Sequence, residues 1–342
     1  MIFGDKNPAY STSLGAMYIA DSLDMLALMP DNSVNLVITS PPFALQRKKE
    51  YGNYSQEQYG DWFMKFAELT FRKLKKDGSF VVDFGGAYAK GVPVRSTYNF
   101  RIMLRLIDEI GFYLAEDFYW FNPSKLPSPI EWVNKRKIRV KDSINTVWWF
   151  SKTEWPKANI TNVLVPYSAR MKKLIKDPDK FFSPRVRPSG HSIDRSFGKD
   201  NGGAIPSNLL QIPNSESNGD YLSSCKKIGI KGHPARFPSK FPEFFIKMLT
   251  DPGDLIVDIF GGSNTTGYAA ERLKRRWLSF ELSPEYTAAS IFRFTAKNLG
   301  EKQLRNIYES ILDGRDASLE NYRNKASYKK YDEKQEYLPN IL

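Results

Sequence analysis

The sequence predicts an α/β fold, a mainly parallel sheet with helices on both faces and an irregular inserted stretch. Three observations carry this. The first third of the chain alternates short β-branched runs with segments of helical period. Residues 152–225 are rich in Pro, Ser, Asn and Gly and have little period. The strand–helix pattern then returns at Leu255.

The elements follow in order. Residues 16–20 read as a strand ending at Asp21, and residues 22–29 as a short helix capped by Asp21 or Ser22. Residues 34–39 form a β-branched strand that stops at Ser40-Pro41-Pro42-Phe43, because proline gives no N–H to a ladder. Across residues 56–74, Trp62, Phe63, Phe66, Leu69 and Leu74 fall on one side of a helix. Asp77-Gly78 turns the chain into a strand over 79–84. A helix over 99–110 ends at Gly111, and strands follow over 113–120 and 146–151. After the irregular stretch come a turn at 251–254, an apolar strand over 255–260, a glycine turn over 261–266, a helix over 267–274 and a strand over 277–281. Beyond Glu301 the chain reads as a polar tail with short helices.

A chain of 342 residues holds one large domain with an insertion, or two domains. Hydrophobic content of 41% excludes a disordered chain. No stretch approaches the ~18 apolar residues of a membrane span, and the start lacks a signal-peptide pattern, so a soluble cytoplasmic protein is expected. The single cysteine, Cys225, rules out an internal disulfide. With only His191 and His233, no metal site is expected. The net charge of +12 favours a polyanionic partner.

Val257-Asp258-Ile259-Phe260-Gly261-Gly262-Ser263-Asn264-Thr265-Thr266-Gly267 reads as a strand, a glycine turn and a helix start. Such a turn lets backbone approach a ligand and aims helix N–H groups at it. Glu281 ends the next strand, about 20 residues downstream, where a carboxylate can hold ribose hydroxyls. Asp258 and Glu281 would together grip an adenosine, and Asp258→Ala should weaken that grip with the fold intact. The bland alternative is an ordinary packing turn. The spacing is not G-x-G-x-x-G, which argues against a nicotinamide dehydrogenase.

Ser40-Pro41-Pro42-Phe43 closes a central strand. A serine Oγ and a proline carbonyl can accept the two hydrogens of an exocyclic amine and aim its lone pair at a methyl sulfonium. Phe43 can stack on a base extruded from a duplex. The bland alternative is a Pro-Pro turn with Phe43 in the core. The conjunction with a separate adenosine site shifts the balance to chemistry.

This conjunction resembles the amino DNA methyltransferases of the β arrangement, in which the catalytic tetrapeptide precedes the target-recognition region and the cofactor loop comes last. Thr39-Ser40-Pro41-Pro42-Phe43 is similar to the Ser-Pro-Pro form of the cytosine-N4 members. The likeness runs from about Ala9 to Phe294. It implies a Rossmann-like S-adenosylmethionine-dependent sheet, mostly parallel with one antiparallel strand, and an inserted irregular target-recognition region. It divides the chain at 1–155, 156–225, 226–300 and 301–342: catalytic half, recognition region, cofactor half and tail. It implies S-adenosylmethionine as methyl donor, with Asp21 at a neighbouring strand end and Phe237, in Arg236-Phe237-Pro238, over the methionine end. It also implies a double-stranded DNA substrate, with CAGCTG as target if recognition is shared. The remaining implications are a restriction endonuclease acting on the same site without stable binding, a bacterial host and a monomeric enzyme. Ser263-Asn264 departs from the glycines of many members.

Several alternatives stay open: an adenine-N6 enzyme of the same fold, a catalytically silent DNA-binding protein and an RNA methyltransferase. Cytosine-C5 chemistry is not expected, since Cys225 follows a serine within the irregular stretch. Residues 161–200 carry nine Lys or Arg against four Asp, and Arg170, Lys172, Lys173, Arg185, Arg187, His191 and Arg195 are candidates for base or phosphate contact. Gln46-Arg47-Lys48-Lys49 should lie near the extruded base. Lys135, Lys137, Arg139 and Lys141 alternate as on a strand, either along phosphates or on a solvated edge. Lys274-Arg275-Arg276 closes the helix after the glycine turn.

Overall fold

The computed structural model describes residues 6–43, 56–181, 198–214 and 219–315, with Phe3, Pro188 and Leu319. It divides into two compact units, described residues 159–207 forming one and the rest the other. Among the described residues no helix is long and apolar enough to cross a membrane.

The larger unit is built on β1 (Tyr10–Ser11), β2 (Gly15–Ile19), β3 (Val34–Thr39), β4 (Leu74–Phe84), β5 (Tyr113–Phe121), β6 (Ile144–Ser151), β7 (Leu209–Gln211), β8 (Leu255–Asp258) and β9 (Arg276–Glu281). Their order in the sheet is β1-β2-β9-β8-β3-β4-β6-β5-β7. Strands β2, β9, β8, β3 and β4 are mutually parallel, so their carboxyl ends share one edge. All six residues of β3 are buried, as expected of a parallel strand covered on both faces. β6 runs antiparallel between β4 and β5, which brings its first residues to that same edge. The expected single antiparallel strand is therefore joined by a second, the two-residue edge β1.

The helices of this unit are α1 (Ser22–Leu28), α2 (Gln56–Lys73) and α3 (Tyr98–Arg105), then, past the smaller unit, α6 (Asp220–Lys227), α7 (Lys240–Leu249), α8 (Thr265–Arg272), α9 (Pro284–Ser290) and α10 (Glu301–Leu312). The smaller unit holds α4 (Ala169–Lys176) and α5 (Pro178–Phe181). In α2, Phe63 packs edge-on to Phe84 of β4 at 5.1 Å, part of an aromatic core that continues to Phe80, Phe112 and Phe150. α3 runs on as a π-helical turn to Ile110, and Gly111 ends it at φ +92°, a left-handed cap that favours glycine.

Four expectations are corrected. β4 starts at Leu74 rather than 79, with a register slip against β3 that absorbs the Asp77-Gly78 turn. The stretch 152–225 is not wholly irregular: β7 pairs with β5, and α6 buries Tyr221, Ser224 and Cys225. Residues 135–141 are not a strand, since a π-helical turn occupies Glu131–Lys135 and Lys137 sits at φ +55°. The tail opens with α10, a docked helix burying Leu304, Ile307 and Ile311. Lys274-Arg275-Arg276 follows α8 as expected, and Arg275 donates to the Leu273 carbonyl at 2.6 Å.

The smaller unit is tied by paired N–H···O bonds between Val165 and Ala204, 2.9 and 2.8 Å. Ser168 caps α4, which carries Arg170, Lys172 and Lys173 exposed. Arg185, Arg187, His191, Arg195 and Gln46 to Lys49 lie outside the described residues.

Candidate active site

The shared strand edge opens into a cavity of ≈ 990 Å³. Ligands of open α/β sheets bind at carboxyl strand ends, so its position follows from topology. Ser40, Pro41, Pro42 and Phe43, which follow β3, line it. So do Asp21 after β2, Asp258 at the end of β8, Phe260, Gly261, Gly262, Ser263 and Thr265 after it, Glu281 at the end of β9, and Phe237. Of the residues expected to form the site, Asn264 alone is not in its lining.

Asn264 serves the loop instead. It is fully buried at φ +52°, and its Oδ1 accepts from Gly267 N at 3.1 Å and Ser279 Oγ at 2.8 Å. Its Nδ2 donates to the Tyr10 hydroxyl at 2.9 Å. The side chain caps α8, so an asparagine at this position holds the turn from beneath.

Asp258 and Glu281 also differ in role. Oδ1 of Asp258 accepts from Thr39 Oγ1 at 2.7 Å and Phe260 N at 3.1 Å, and Oδ2 from Thr266 Oγ1 at 2.6 Å. Burial pushes its carboxyl above the usual range, opposed by those hydrogen bonds. Asp258 is thus a brace that ties β3 to the glycine loop. Glu281 accepts from Gly262 N at 2.8 Å and Ser283 N at 3.0 Å and lies on the cavity wall. Each of its oxygens keeps a lone pair for a hydroxyl donor. Gly262 sits at φ +49°, and a Cβ there would come within 3.3 Å of the His233 ring.

Next to Glu281 the wall is aromatic. Phe260 packs against Trp62 at 5.5 Å and Phe66 at 4.9 Å, both on α2 and both lining the cavity. Opposite stands His233, whose N–H donates to the Tyr221 hydroxyl at 2.9 Å and whose ring meets Tyr286 edge-on at 4.5 Å. A carboxylate for diol hydroxyls, glycine backbone on the cavity wall and flat aromatic surface suit an adenosine.

The other half of the cavity holds a polar cluster that the sequence did not reveal. Ser40 Oγ donates to Asp83 Oδ2 at 3.0 Å, and Asn145 Nδ2 donates to Asp83 Oδ1 at 3.1 Å. Asp83 is next to last in β4, Asn145 is second in β6, and both line the cavity. Burial pushes the Asp83 carboxyl up to about 6, with hydrogen bonds from Asn145 and Ser40 and the Lys125 charge pulling back. Because Ser40 spends its hydrogen on Asp83, its oxygen lone pairs face other donors. Asp83 was detectable as the carboxylate at a parallel strand end. Asn145 gave no such signal, because its strand runs the other way.

Phe43 is seated by Gly85, where a Cβ would run into its ring. Cys225 is outside the cavity lining, and burial pushes its thiol up to about 11, which leaves no thiolate for nucleophilic attack.

Comparison with known proteins gives a consistent result. A family model described as DNA methylase matches residues 34–292. The type II methyltransferase M.PvuII of Proteus hauseri is 70% identical over 314 residues, 92% of this chain and 94% of that protein. M.BglII of Bacillus subtilis is 25% identical and spans 80% of this chain and 67% of its own length. A solved structure of the cytosine-N4-specific PvuII DNA methyltransferase superposes with a TM-score of 0.75 at 61% identity, covering 91% of this chain and 97% of that one.

Proposed function

We propose the following activity for this chain, which belongs to the DNA methylase family: it transfers a methyl group from S-adenosylmethionine to N4 of a cytosine within a short sequence of double-stranded DNA. The observation that carries this reading is the Ser40–Asp83–Asn145 cluster, in one cavity with the glycine loop and Glu281. The 70% identity to a type II methyltransferase, and the cytosine-N4 specificity of the enzyme whose solved structure matches, support the choice of base.

Glu281, Phe260 and the backbone of Gly261 and Gly262 are assigned to the adenosine end of the cofactor. Asp21, Ser263, Thr265 and Phe237 complete that half, and Asp258 acts by holding the loop. When bound, the cofactor supplies an electrophilic methyl on sulfonium. Ser40 Oγ and the Pro41 carbonyl accept the two amine hydrogens and localise the nitrogen lone pair. Phe43 stacks on the extruded base. As the new N–C bond forms, the S–C bond would break with its electron pair returning to sulfur, and nitrogen becomes positive and must lose a proton. Ser40 can take that proton while passing its own to Asp83, whose carboxylate is ionised above about pH 6. No covalent link to the enzyme is needed.

Exposed Arg170, Lys172 and Lys173 of α4 are assigned to DNA contact. The target is read as CAGCTG, the protein as a monomer in a bacterial cytoplasm, and its role as protecting host DNA from a restriction endonuclease of the same site. Nucleoside digestion of treated duplex with mass spectrometry tests the activity. N4-methylcytosine is the expected product, whereas N6-methyladenine or no product would overturn it.

A further inference from the structure

Between β5 and β6 the chain makes an excursion over residues 122–143. It leaves and re-enters the sheet at the cavity, since Asn122, Lys125 and Asn145 all line it. It exposes large apolar side chains: Leu126 is 80% exposed, Ile130 61% and Val140 86%. One exposed apolar residue means nothing. Three on one short excursion beside an active site are left uncovered.

The excursion is not slack. The Asn122 N–H donates to the Ser143 carbonyl at 2.9 Å, closing its base. Lys141 Nζ donates to the carbonyls of Pro123 at 3.1 Å and Lys125 at 3.4 Å, clamping the arm that carries Leu126. The Asp142 N–H reaches the Ser128 carbonyl at 3.1 Å, and Arg139 binds the Pro93 carbonyl at 2.7 Å. Pro127 also restricts Leu126 to extended backbone. The arm that carries Leu126 is therefore held by bonds that leave its side chain largely exposed.

Charge identifies the occupant. The excursion carries six cations, Lys125, Lys135, Arg136, Lys137, Arg139 and Lys141, against Glu131 and Asp142. Lys135 and Arg136 are partly offset by Glu131, while Lys125 and Lys141 flank the arm that carries Leu126. A braced apolar tip on a net basic excursion fits neither a purely apolar partner nor a purely ionic one. It fits a stacked polyanion, whose phosphates take the cations and whose base steps admit a leucine wedge.

We propose that residues 122–143 form a wedge that enters duplex DNA beside the target base, with Leu126 the inserted side chain and Val140 its flank. Leu126 directly follows Lys125, which lines the cavity, so a duplex delivering a base to that cavity would meet it. It acts as a positioning residue: it stabilises the opened duplex and does not touch the reacting atoms. The inference rests on the duplex-DNA activity proposed above.

The test is single-turnover methylation by full-length Leu126→Ala on two duplexes, one fully paired and one mismatched at the target base. A mismatched base is already partly unstacked and needs less help. The variant should lose about tenfold on the paired duplex and less than twofold on the mismatched one. Its fluorescence gain with 2-aminopurine at the target position should fall in parallel. Leu126→Met, which keeps length and apolarity, should restore the rate. Trp155→Ala, removing an 84% exposed side chain elsewhere, should match wild type on both. Wild-type rates for Leu126→Ala on paired DNA, or equal losses on both duplexes, would overturn the wedge while leaving the activity standing. Wild-type protein that methylates no duplex would overturn both.

Discussion

The two halves of the cavity are assembled in opposite ways. The half given to the cofactor comes mainly from one run of chain, Asp258 to Thr265, with Glu281 one strand later. Some of its supports are local, as when Asn264 caps its own helix, and others reach it from β1 and β3 through Tyr10 and Thr39. The reacting half draws Ser40, Asp83 and Asn145 from three strands, with β6 entering from the opposite direction. The cofactor half is a backbone device tuned by a few side chains. The reacting half is a side-chain device in which burial sets the chemistry, as the Asp83 carboxyl at about 6 illustrates. Point changes should therefore separate rate from affinity according to the half they touch.

Ser40→Ala gives the sharpest separation. Losing one acceptor that strengthens toward the transition state costs roughly 2–4 kcal/mol, or about 30- to 1,000-fold in single-turnover rate. Calorimetric affinity for S-adenosylmethionine should not move. A near wild-type rate would reduce the tetrapeptide to a structural turn.

Asp83→Asn should also cut the rate, with a distinctive pH signature. The wild-type single-turnover rate should rise through about pH 6 as the carboxylate forms, and the variant should lack that step. Stability should move the other way. The folded chain holds this proton more tightly than the unfolded one, so the associated stability is complete below the ordinary carboxyl range and is lost as pH rises through about 6. Removing the buried charge could return up to about 3 kcal/mol at neutral pH. Melting curves at about pH 3.5 and 7.5 test this: the variant should gain at pH 7.5 and little at pH 3.5, with an intermediate gain near pH 5.

On the other half, Glu281→Gln and Asp258→Ala should part company. Glu281→Gln keeps only one of the two acceptor oxygens, so it should weaken cofactor binding by roughly 1–3 kcal/mol with a smaller fall in melting temperature than Asp258→Ala. Asp258→Ala strips partners from Thr39, Thr266 and the Phe260 N–H, so affinity and melting temperature should fall together. An unchanged melting temperature for Asp258→Ala would restore the simpler idea that it only grips the ligand. The smallest effect belongs to Gly85→Ala, which should push Phe43 aside and raise the DNA concentration needed for half-maximal rate several-fold, at most about 1–3 kcal/mol, the range for one stacked base.

Much of this molecule was readable in one dimension. β3, β8, β9 and the first helices announce themselves through β-branched runs, period and caps, because local geometry alone sets those patterns. Ser40 to Phe43, Gly261 to Ser263 and Glu281 could be picked out because a strand end, a proline pair and a glycine turn are local features. β7 and α6 escaped notice because short elements in a Pro- and Gly-rich stretch take their order from what they pack on. Asn264 caps its helix outside the cavity lining, and a cap and a ligand contact look alike in sequence until the side chain's partners are known.

The sequence by itself determined the alternation of elements, the placement of the tetrapeptide and glycine loop at strand ends, and the positive charge that favours a polyanion. Tertiary structure alone decided that Asn145 meets Asp83, that Asp258 braces while Glu281 faces the cavity, and that Leu126 is held out beside it. The physical reason is that hydrogen-bond partners and burial depend on strand order and direction. A chain encodes these through long-range packing, and no local window contains them.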